Sequence, residues 1–367
     1  MKTRLPSVTT VMVIFWNLGM GGVQQKMMDF SWVAAQEPSP EIWFHYVLRD
    51  RPKFRLDREI NLKQTVLHYR PGIQNGIFHM PFSLFVLWQA YILRPAVLLA
   101  FLDHASFLAI LSAKILFWRR IRVVLNEDTF TSQFTTSWLK RKFISALYPC
   151  ADIIMSPTNA SKKDLVRIFR IPSEKITIMP NWTLQKEQKP MVRKYDFLYI
   201  GRFAKQKNLF FLLDVLSDLI KYDASISLCL VGDGPEKNVL INEVRARHLS
   251  RNVTIRPPSN QISSYMRQSR IFVLSSHYEG MPVALLEAMA MGLPVISRSY
   301  PGISEYLTHG KTGLIARTKR EFVHHARYLL DHPRTRAAFQ KRGIRDIRNR
   351  FSYNTLQKYI ETMLQNS

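Results

Sequence analysis

Two carboxylates, Glu279 and Glu287, are separated by seven residues in an otherwise apolar stretch, residues 275–299. Pro282 favours the start of a helix and Gly292 favours its end, so the residues between them are predicted to be helical. Glu279 then lies beside the free N–H groups of the helix start, where anions bind. Glu287 falls on the helical stripe that faces a sheet, where a buried carboxylate requires a partner.

This spacing argues against a paired-acid hydrolase. Eight helical residues rise about 12 Å, whereas the carboxyl groups of glycosidases lie about 5 to 9.5 Å apart. The spacing suits two contacts at opposite ends of one extended ligand. The alternative is structural: Glu279 caps the helix, and Glu287 pairs with an arginine.

The elements around these acids predict a parallel sheet. The runs Ile271–Ser275 and Pro294–Ser297 are predicted strands, and the helix Val283–Met291 between them completes a βαβ unit. The same alternation occurs along most of the chain, so polar residues gather where strands end. The other predicted strands are Val8–Trp16, Val97–Leu102, Arg122–Leu125, Ala151–Met155, Thr177–Met179, Tyr195–Ile200, Ser227–Val231 and Val253–Ile255.

The alternation is interrupted once, by a polar and charged segment without a core pattern, residues 183–194. The predicted fold class is therefore α/β, with two Rossmann-like doubly wound domains facing a central cleft, where ligands bind by default. The predicted domains are residues 1–185 and 195–350, joined by a linker over 186–194. Residues 351–367 form a terminal helix.

The chain is strongly basic, with a net charge of +25 over 367 residues, and the excess is spread over both halves. Residues 317–350 contain eleven Lys or Arg side chains and three acidic ones. This charge favours a polyanion or an anionic membrane surface as a partner, or else it is a solvated basic face.

Cysteine use and hydropathy favour a cytoplasmic protein that can adhere to the inner face of the cell membrane. Cys150 and Cys229 lie in apolar contexts without a disulfide or zinc pattern, which indicates a reducing compartment. No stretch predicts a transmembrane helix, because the most apolar one, residues 84–101, is interrupted by Arg94 and Pro95. The basic, apolar N-terminus is compatible with a signal peptide, but a first strand entering a glycine loop is favoured.

The second half resembles the nucleotide-sugar-binding half of retaining GT-B glycosyltransferases of family 4, of the bacterial surface-polysaccharide type. The resemblance is close over residues 195–320 and looser before them. The Glu-x7-Glu pattern of Glu279 and Glu287 is the family's hallmark. The other motifs that match, in order, are Gly201-Arg202 with Lys207, Val231-Gly-Asp-Gly-Pro235, Ser275 through Glu287, and Pro301-Gly302 with Glu305 and Gly313.

The resemblance implies that each acid meets a different part of one nucleoside diphosphate sugar. Glu287 would accept hydrogen bonds from the ribose hydroxyls, and Glu279 would lie near the donor sugar. Arg202 and Lys207, together with Glu279, are the implied catalytic residues, because two cations can hold the departing diphosphate. The remaining donor-binding residues in this half are Gly234, Gly280, Met281, Pro282 and Val283.

In the first half, the resemblance implies that the loop with Gly21 and Gly22 closes over the donor diphosphate. Many relatives have a histidine after the strand that corresponds to residues 123–125, where this chain has Asn126-Glu127-Asp128. Either Asp128 or His104 takes the place of that histidine, or His104 is structural. The resemblance also implies that the C-terminal helix crosses back to the first domain and that no cofactor and no metal are needed.

The sequence thus predicts a retaining hexosyltransferase that uses a nucleotide sugar, with UDP favoured over GDP. The predicted acceptor is a lipid-linked oligosaccharide or a surface polysaccharide such as the O-antigen of lipopolysaccharide. The alternatives are another GT-B enzyme, such as a nucleotide-sugar epimerase, and a basic nucleic-acid-binding protein. The last is disfavoured because the sequence has no RNP-type motif, so no nucleic-acid partner is expected.

Overall fold

The computed structural model describes residues 8–15, 29, 41–48, 64–68, 81–135, 137–189, 191–259 and 261–364. The chain forms two compact units. The first contains the residues up to Pro180 and the end of the chain from Leu356 onward, and the second contains Asn181–Thr355. Each unit has its own buried apolar core.

Within the described residues, the first unit contains one parallel sheet of seven strands in the order β3-β2-β1-β4-β5-β6-β7. Its central strands are almost fully buried, as expected for a parallel sheet covered on both faces. The strands are β1 (Val8–Phe15), β2 (Glu41–Leu48), β3 (Gln64–His68), β4 (Val97–Phe101), β5 (Arg122–Asn126), β6 (Ile153–Ser156) and β7 (Ile176–Ile178).

Helices connect these strands from β3 onward. The chain turns sharply between the first helix and β4, where Arg94 adopts a left-handed conformation immediately before a proline. The helices are α1 (Phe82–Leu93), α2 (Leu102–Ile115), α3 (Thr131–Phe134), α4 (Trp138–Leu147) and α5 (Asn159–Phe169), with a short 3₁₀ turn over Phe117–Arg119.

The second unit is also built on a parallel sheet, of six strands in the described residues, in the order β10-β9-β8-β11-β12-β13. Its strands are β8 (Tyr195–Ile200), β9 (Leu228–Val231), β10 (Val253–Arg256), β11 (Ser269–Leu274), β12 (Val295–Arg298) and β13 (Leu314–Ala316). Its helices are α6 (Leu209–Leu219), α7 (Lys237–Ala246), α8 (Ile262–Arg267), α9 (Val283–Ala290), α10 (Lys319–Asp331) and α11 (Pro333–Arg350).

The last helix, α12 (Tyr353–Leu364), joins the first unit from Leu356 onward. Tyr359, which is 1% exposed, donates a hydrogen bond of 2.8 Å from its hydroxyl to Oδ1 of Asn126 at the end of β5. Burial, followed by the nearby Asp128 carboxylate, raises the pKa of Tyr359 well above its ordinary value, so the hydroxyl stays protonated and can donate. The chain end therefore contributes to the core of the unit in which the chain begins.

Two parallel sheets with helical crossovers confirm the predicted α/β, Rossmann-like fold class. Strands β2 and β3 were not predicted from the sequence. The start of α2 also differs, since the preceding strand was predicted to include Leu102, whereas the helix begins at that residue. No glycine or proline separates β4 from this helix, so nothing in the backbone delays helix formation. None of the helices in the described ranges combines the length and hydropathy of a membrane span.

Candidate donor site at a sheet edge

The loops that follow β8, β9 and β11 lie at the same edge of the second sheet. β8 pairs with both of the other strands, and both pairings are parallel. Ligands of open α/β sheets bind at this carboxyl edge. The sequence-predicted residues Arg202 and Lys207 lie in the first of these loops, Gly234 in the second and Glu279 in the third.

An ion pair joins two of these loops. Nζ of Lys207 lies 2.5 Å from Oε1 of Glu279, and the side chains are 19% and 7% exposed. The burial of both groups strengthens their attraction, because less water screens the charges. The side chain of Lys207 is not fully buried, so part of it stays accessible from solvent while its ammonium group contacts the carboxylate.

Neutral groups hold the carboxylate of Glu279 on its other sides. Ser276 donates a hydrogen bond of 2.6 Å to Oε1, and Nε2 of Gln206 lies 3.4 Å from Oε2. Gln206 also donates to the carbonyl of Tyr278 over 2.8 Å. Ser276 and Gln206 were not identified from the sequence. The S-x-x-E spacing of Ser276 and Glu279 resembles a capping box and could have revealed the first of them.

Two further hydrogen bonds join the loop after β11 to backbone carbonyls of the loop after β8. The N–H of His277 donates to the carbonyl of Gln206 over 2.9 Å, and the hydroxyl of Ser275 donates to the carbonyl of Lys207 over 2.7 Å. These bonds fix the segment around Lys207 before any ligand arrives. Such preorganisation is what an electrostatic site requires, because the charges do not have to be reoriented during a reaction.

Three buried tyrosines close the inner side of this site. Burial, and secondarily the negative charge of Glu279, raises the pKa of Tyr199 and of Tyr300 well above the ordinary value. The pKa of Tyr306 is raised in the same direction by burial first and then by its contact with Tyr300, whose hydroxyl lies 2.8 Å from its own. The hydroxyls therefore stay neutral and add no charge beside the carboxylate.

Arg202 is exposed, and its backbone is fixed because the hydroxyl of Tyr199 donates to its carbonyl over 3.1 Å. Its guanidinium group has no hydrogen-bond or ion-pair partner among the described residues. Arg202 is thus a cation that is free to bind an incoming anion, on the same loop as Lys207.

Gly234 has a packing role that was not predicted. A Cβ atom at Gly234 would lie 2.4 Å from the carbonyl oxygen of Phe203, and one at Gly232 would lie 2.0 Å from that of Gly201. The loops after β8 and β9 therefore touch backbone to backbone. The N–H of Phe203 bonds to the carbonyl of Asp233 over 2.8 Å, which holds the contact together.

The remaining donor-site candidates lie around the start of α9. Met281 is buried, and its carbonyl accepts a hydrogen bond of 2.6 Å from the side chain of Asn181. The structure places Gly280 among the buried residues and Pro282 at the cap of the helix. The N–H of Val283 has no acceptor among the described residues, so it is available to an anion. Glu287 lies in the second turn of α9 and is 8% exposed.

The candidates in the first unit are only partly described. Gly21 and Gly22 lie outside the described residues. His104 is exposed in the first turn of α2, and Asp128 is half-buried in the loop after β5. Because β4 and β5 are neighbours, with Phe101 opposite Asn126, both side chains follow adjacent strand ends.

Glu127, which precedes Asp128, is structural. It is 2% exposed and accepts hydrogen bonds from the hydroxyls of Tyr148, over 2.6 Å, and Thr131, over 3.0 Å. In the described ranges, His, Cys, Asp and Glu side chains form no group of three or more that could hold a metal ion.

The second unit is similar to a known protein family, and the chain is similar in fold to solved structures. The family model for glycosyl transferases group 1 matches residues 181–346, nearly the whole second unit. In structure, the chain is similar to Anabaena Alr3699/HepE solved in complex with UDP and glucose, with a TM-score of 0.82 and 16% identity, over 98% of this chain and 100% of that one. This likeness shows the fold.

Two curated relatives from bacteria carry informative names. The capsular polysaccharide biosynthesis glycosyltransferase CapH of Staphylococcus aureus is 25% identical over 80% of this chain and 82% of its own length. The N-acetylgalactosamine-N,N'-diacetylbacillosaminyl-diphospho-undecaprenol 4-alpha-N-acetylgalactosaminyltransferase of Campylobacter jejuni is 27% identical over 60% of this chain and 62% of its own. Together the comparisons show that the second unit is similar to glycosyl transferases of group 1 and that the chain has a fold of the GT-B type.

Proposed function

We propose that the protein is a retaining glycosyltransferase that transfers a hexose from a UDP-sugar to a lipid-linked oligosaccharide or a surface-polysaccharide acceptor. We place this reaction in the cytoplasm, at the inner face of the cell membrane. The observation that carries the proposal is the set of charges at the sheet edge: the Lys207–Glu279 pair with the unpaired Arg202 on the same loop.

Each charge has a role in this proposal. Arg202 and Lys207 bind the diphosphate of the donor and stabilise the negative charge that grows on it as it leaves. Glu279 orients Lys207 and lies near the donor sugar. The N–H groups at the start of α9 supply further donors to phosphate, and Glu287 accepts hydrogen bonds from the ribose.

The reaction needs no nucleophile from the protein. The bond between the anomeric carbon and the diphosphate oxygen breaks, and the acceptor oxygen forms its bond on the same face of the sugar. The acceptor's proton passes to the departing phosphate oxygen. The two cations balance the charge that the diphosphate gains, which in other enzymes is the task of a metal ion.

The choice of substrates is supported by relatives. UDP occupies the solved neighbour HepE, the name of the Campylobacter enzyme specifies a diphospho-undecaprenol acceptor, and the name of CapH specifies a capsular polysaccharide. The contacts of Gly21, Gly22, His104 and Asp128 with the sugar or the donor diphosphate remain predictions.

A panel of UDP- and GDP-sugars tests the donor. Thermal unfolding is followed with each nucleotide sugar, because a ligand at about 100 times its Kd adds about 2.7 kcal/mol to the free energy of unfolding. We expect UDP-sugars to raise the melting temperature of the wild type. Glu287→Ala should weaken this effect, and Glu287→Gln, which preserves the shape of the side chain, should separate lost charge from lost packing.

Turnover tests the catalytic role of Arg202. Arg202→Ala should lower kcat by about 100-fold, as the loss of one donor to a developing anion does in other enzymes. Lys205→Ala is the matched control, since Lys205 is an exposed cation three residues further along the same loop. Unchanged kinetics in both Arg202→Ala and Glu287→Ala would exclude this site. Sugar conversion without any acceptor would indicate an epimerase instead.

A further inference from the structure

Three helices of the first unit pack side by side on one face of its sheet. α1 contacts α2, and α2 contacts α4. Their inner side chains, such as Val86, Ala109 and Ile144, belong to the same core. We call the outward side of α1, α2, the 3₁₀ turn over Phe117–Arg119 and α4 the aromatic face.

The aromatic face is apolar where a solvated surface would be polar. Twelve of the eighteen large apolar side chains that are exposed in the described residues lie between Leu84 and Phe143. On α1, Leu84, Trp88 and Tyr91 recur at helical spacing on the side opposite Val86, with 45% to 54% of each exposed. A contiguous exposed apolar patch marks an interaction surface.

The patch continues across the neighbouring elements. The 3₁₀ turn exposes 74% of Phe117 and 56% of Trp118, and α4 exposes 62% of Trp138. The guanidinium group of Arg119 lies 5.4 Å from the ring centroid of Tyr91, which joins the turn to α1. Rings of α2 and α4 also meet, since Phe107 lies 6.5 Å from Phe143, centroid to centroid.

Basic side chains lie among the apolar ones. Lys114 and Arg120 are exposed on either side of Phe117 and Trp118. Lys142 lies over the ring of Trp138, with its Nζ 4.8 Å from the centroid. In the sequence of these elements there is a single acidic residue, Asp103. The aromatic face is therefore both apolar and positively charged.

From these observations we propose that the aromatic face docks the protein onto an anionic lipid bilayer. Tryptophan and tyrosine rings settle at the level of lipid headgroups, and aliphatic side chains such as Leu84 and Ile115 enter the acyl boundary. Each Lys or Arg close to an anionic bilayer contributes about fivefold to binding. A lipid surface satisfies the apolar and the basic side chains at the same time.

Other occupants fit less well. Two copies related by a twofold axis would bring the same basic residues against each other, with little acid to neutralise them. A nucleic acid would stack on the rings but would leave the exposed aliphatic side chains without a partner. The basic helix α11 of the second unit does not offer this combination, because its apolar side chains Phe339 and Ile347 are buried.

The test is flotation of the full chain with lipid vesicles, without any nucleotide sugar, so its outcome is separate from that of the donor-binding experiments. Vesicles containing about 30 mol% phosphatidylglycerol are compared with pure phosphatidylcholine vesicles. We expect the wild type to float only with the anionic vesicles. Phe117→Ser/Trp118→Ser should lower the partition coefficient by at least about tenfold, and Lys114→Glu/Arg120→Glu by at least about thirtyfold.

Matched controls locate the effect. Val192→Ser/Val239→Ser removes two exposed apolar side chains of the second unit, and Arg342→Glu/Arg345→Glu reverses two exposed charges on α11. Both should leave flotation unchanged, and all variants should keep the wild-type circular dichroism spectrum.

Three results would overturn the assignment: no flotation of the wild type, equal losses in the controls, or vesicle binding that survives both substitutions in the aromatic face. A dimer that dissociates in Phe117→Ser/Trp118→Ser, or a single-stranded oligonucleotide that binds where vesicles do not, would assign the face to another partner.

Discussion

At the scale of single residues, the site depends on an ion pair that is nearly enclosed by protein. The Lys207–Glu279 pair loses hydration on folding, and its attraction and two further hydrogen-bond donors, Ser276 and Gln206, offset that cost. A pair of this kind contributes more to specific geometry than to stability. Removing one member is costly, because it leaves the other charge buried alone.

Lys207→Met should therefore lower the free energy of unfolding by about 2 kcal/mol, below the range for fully buried pairs because Lys207 is 19% exposed. Adding Glu279→Gln should restore part of the loss, since the remaining carboxylate charge is removed. Urea denaturation without nucleotide measures both. As a control, Lys221→Met breaks the exposed pair with Asp218 and should change the value by less than about 0.5 kcal/mol. Equal effects in the two variants would contradict the role of burial.

The two cysteines should differ in reactivity for a related reason. Burial raises the pKa of Cys229 to about 12, so its thiol is protonated at neutral pH, whereas Cys150 is exposed. Thiolate is the reactive form. A thiol reagent at about pH 8 should modify one cysteine of the native chain quickly and both in denaturant. Fast modification in native Cys150→Ser would show that Cys229 is accessible.

At the scale of elements, the site is positioned by loops that approach each other closely. The loops after β8 and β9 meet at Gly232 and Gly234, where side chains would collide with backbone atoms. Those after β8 and β11 meet through hydrogen bonds to Gln206 and Lys207. Small and polar residues at strand ends thus fix the backbone of the loop that carries Arg202 and Lys207.

Gly232→Ala should lower the free energy of unfolding by about 2 to 3 kcal/mol, because its Cβ would overlap the carbonyl oxygen of Gly201. Gly343→Ala in α11 should instead raise the free energy of unfolding by about 0.5 to 1 kcal/mol, because alanine favours the helix over glycine. The new Cβ would lie 3.8 Å from Met289, which is an ordinary contact. Chemical denaturation of both variants is the measurement, and a stable Gly232→Ala protein would show that the loops can separate.

At the scale of the whole molecule, the chain is organised as two units with separate cores, and its last helix belongs to the first of them. Leu356, Tyr359 and Met363 of α12 are nearly inaccessible to solvent. The end of the chain therefore belongs to the core of the first unit. The stability of that unit depends on residues that come before and after the second unit in the sequence.

Tyr359→Phe should lower the free energy of unfolding of the first unit by about 1 to 2 kcal/mol, because Oδ1 of Asn126 loses its buried donor. Six of the seven tryptophans precede residue 181, so tryptophan emission reports chiefly on this unit. Tyr328→Phe, at an exposed hydroxyl of the second unit, is the control and should have little effect. Unaltered unfolding in Tyr359→Phe would mean that the hydroxyl bond contributes no stability.

What the sequence determined by itself was the class of fold and most of the element positions after residue 81. The strand β8 was predicted with the bounds that the structure has, and the helix α9 ends one residue earlier than predicted, because local hydropathy and helix-ending residues decide such bounds. The family motifs also singled out Arg202, Lys207 and Glu279, of which the structure joins the last two in an ion pair, and their catalytic roles remain predictions.

Only the tertiary structure decided which side chains meet and which face solvent. Lys207 and Glu279 are 72 positions apart, and the supporting roles of Gln206, Ser276 and Gly234 come from loops that adjoin only when the parallel strands pair. The apolar helix α1 has the composition of a buried element, yet one side of it is exposed. Periodicity predicts that a helix has faces, but the packing of the neighbouring elements decides which of them is covered.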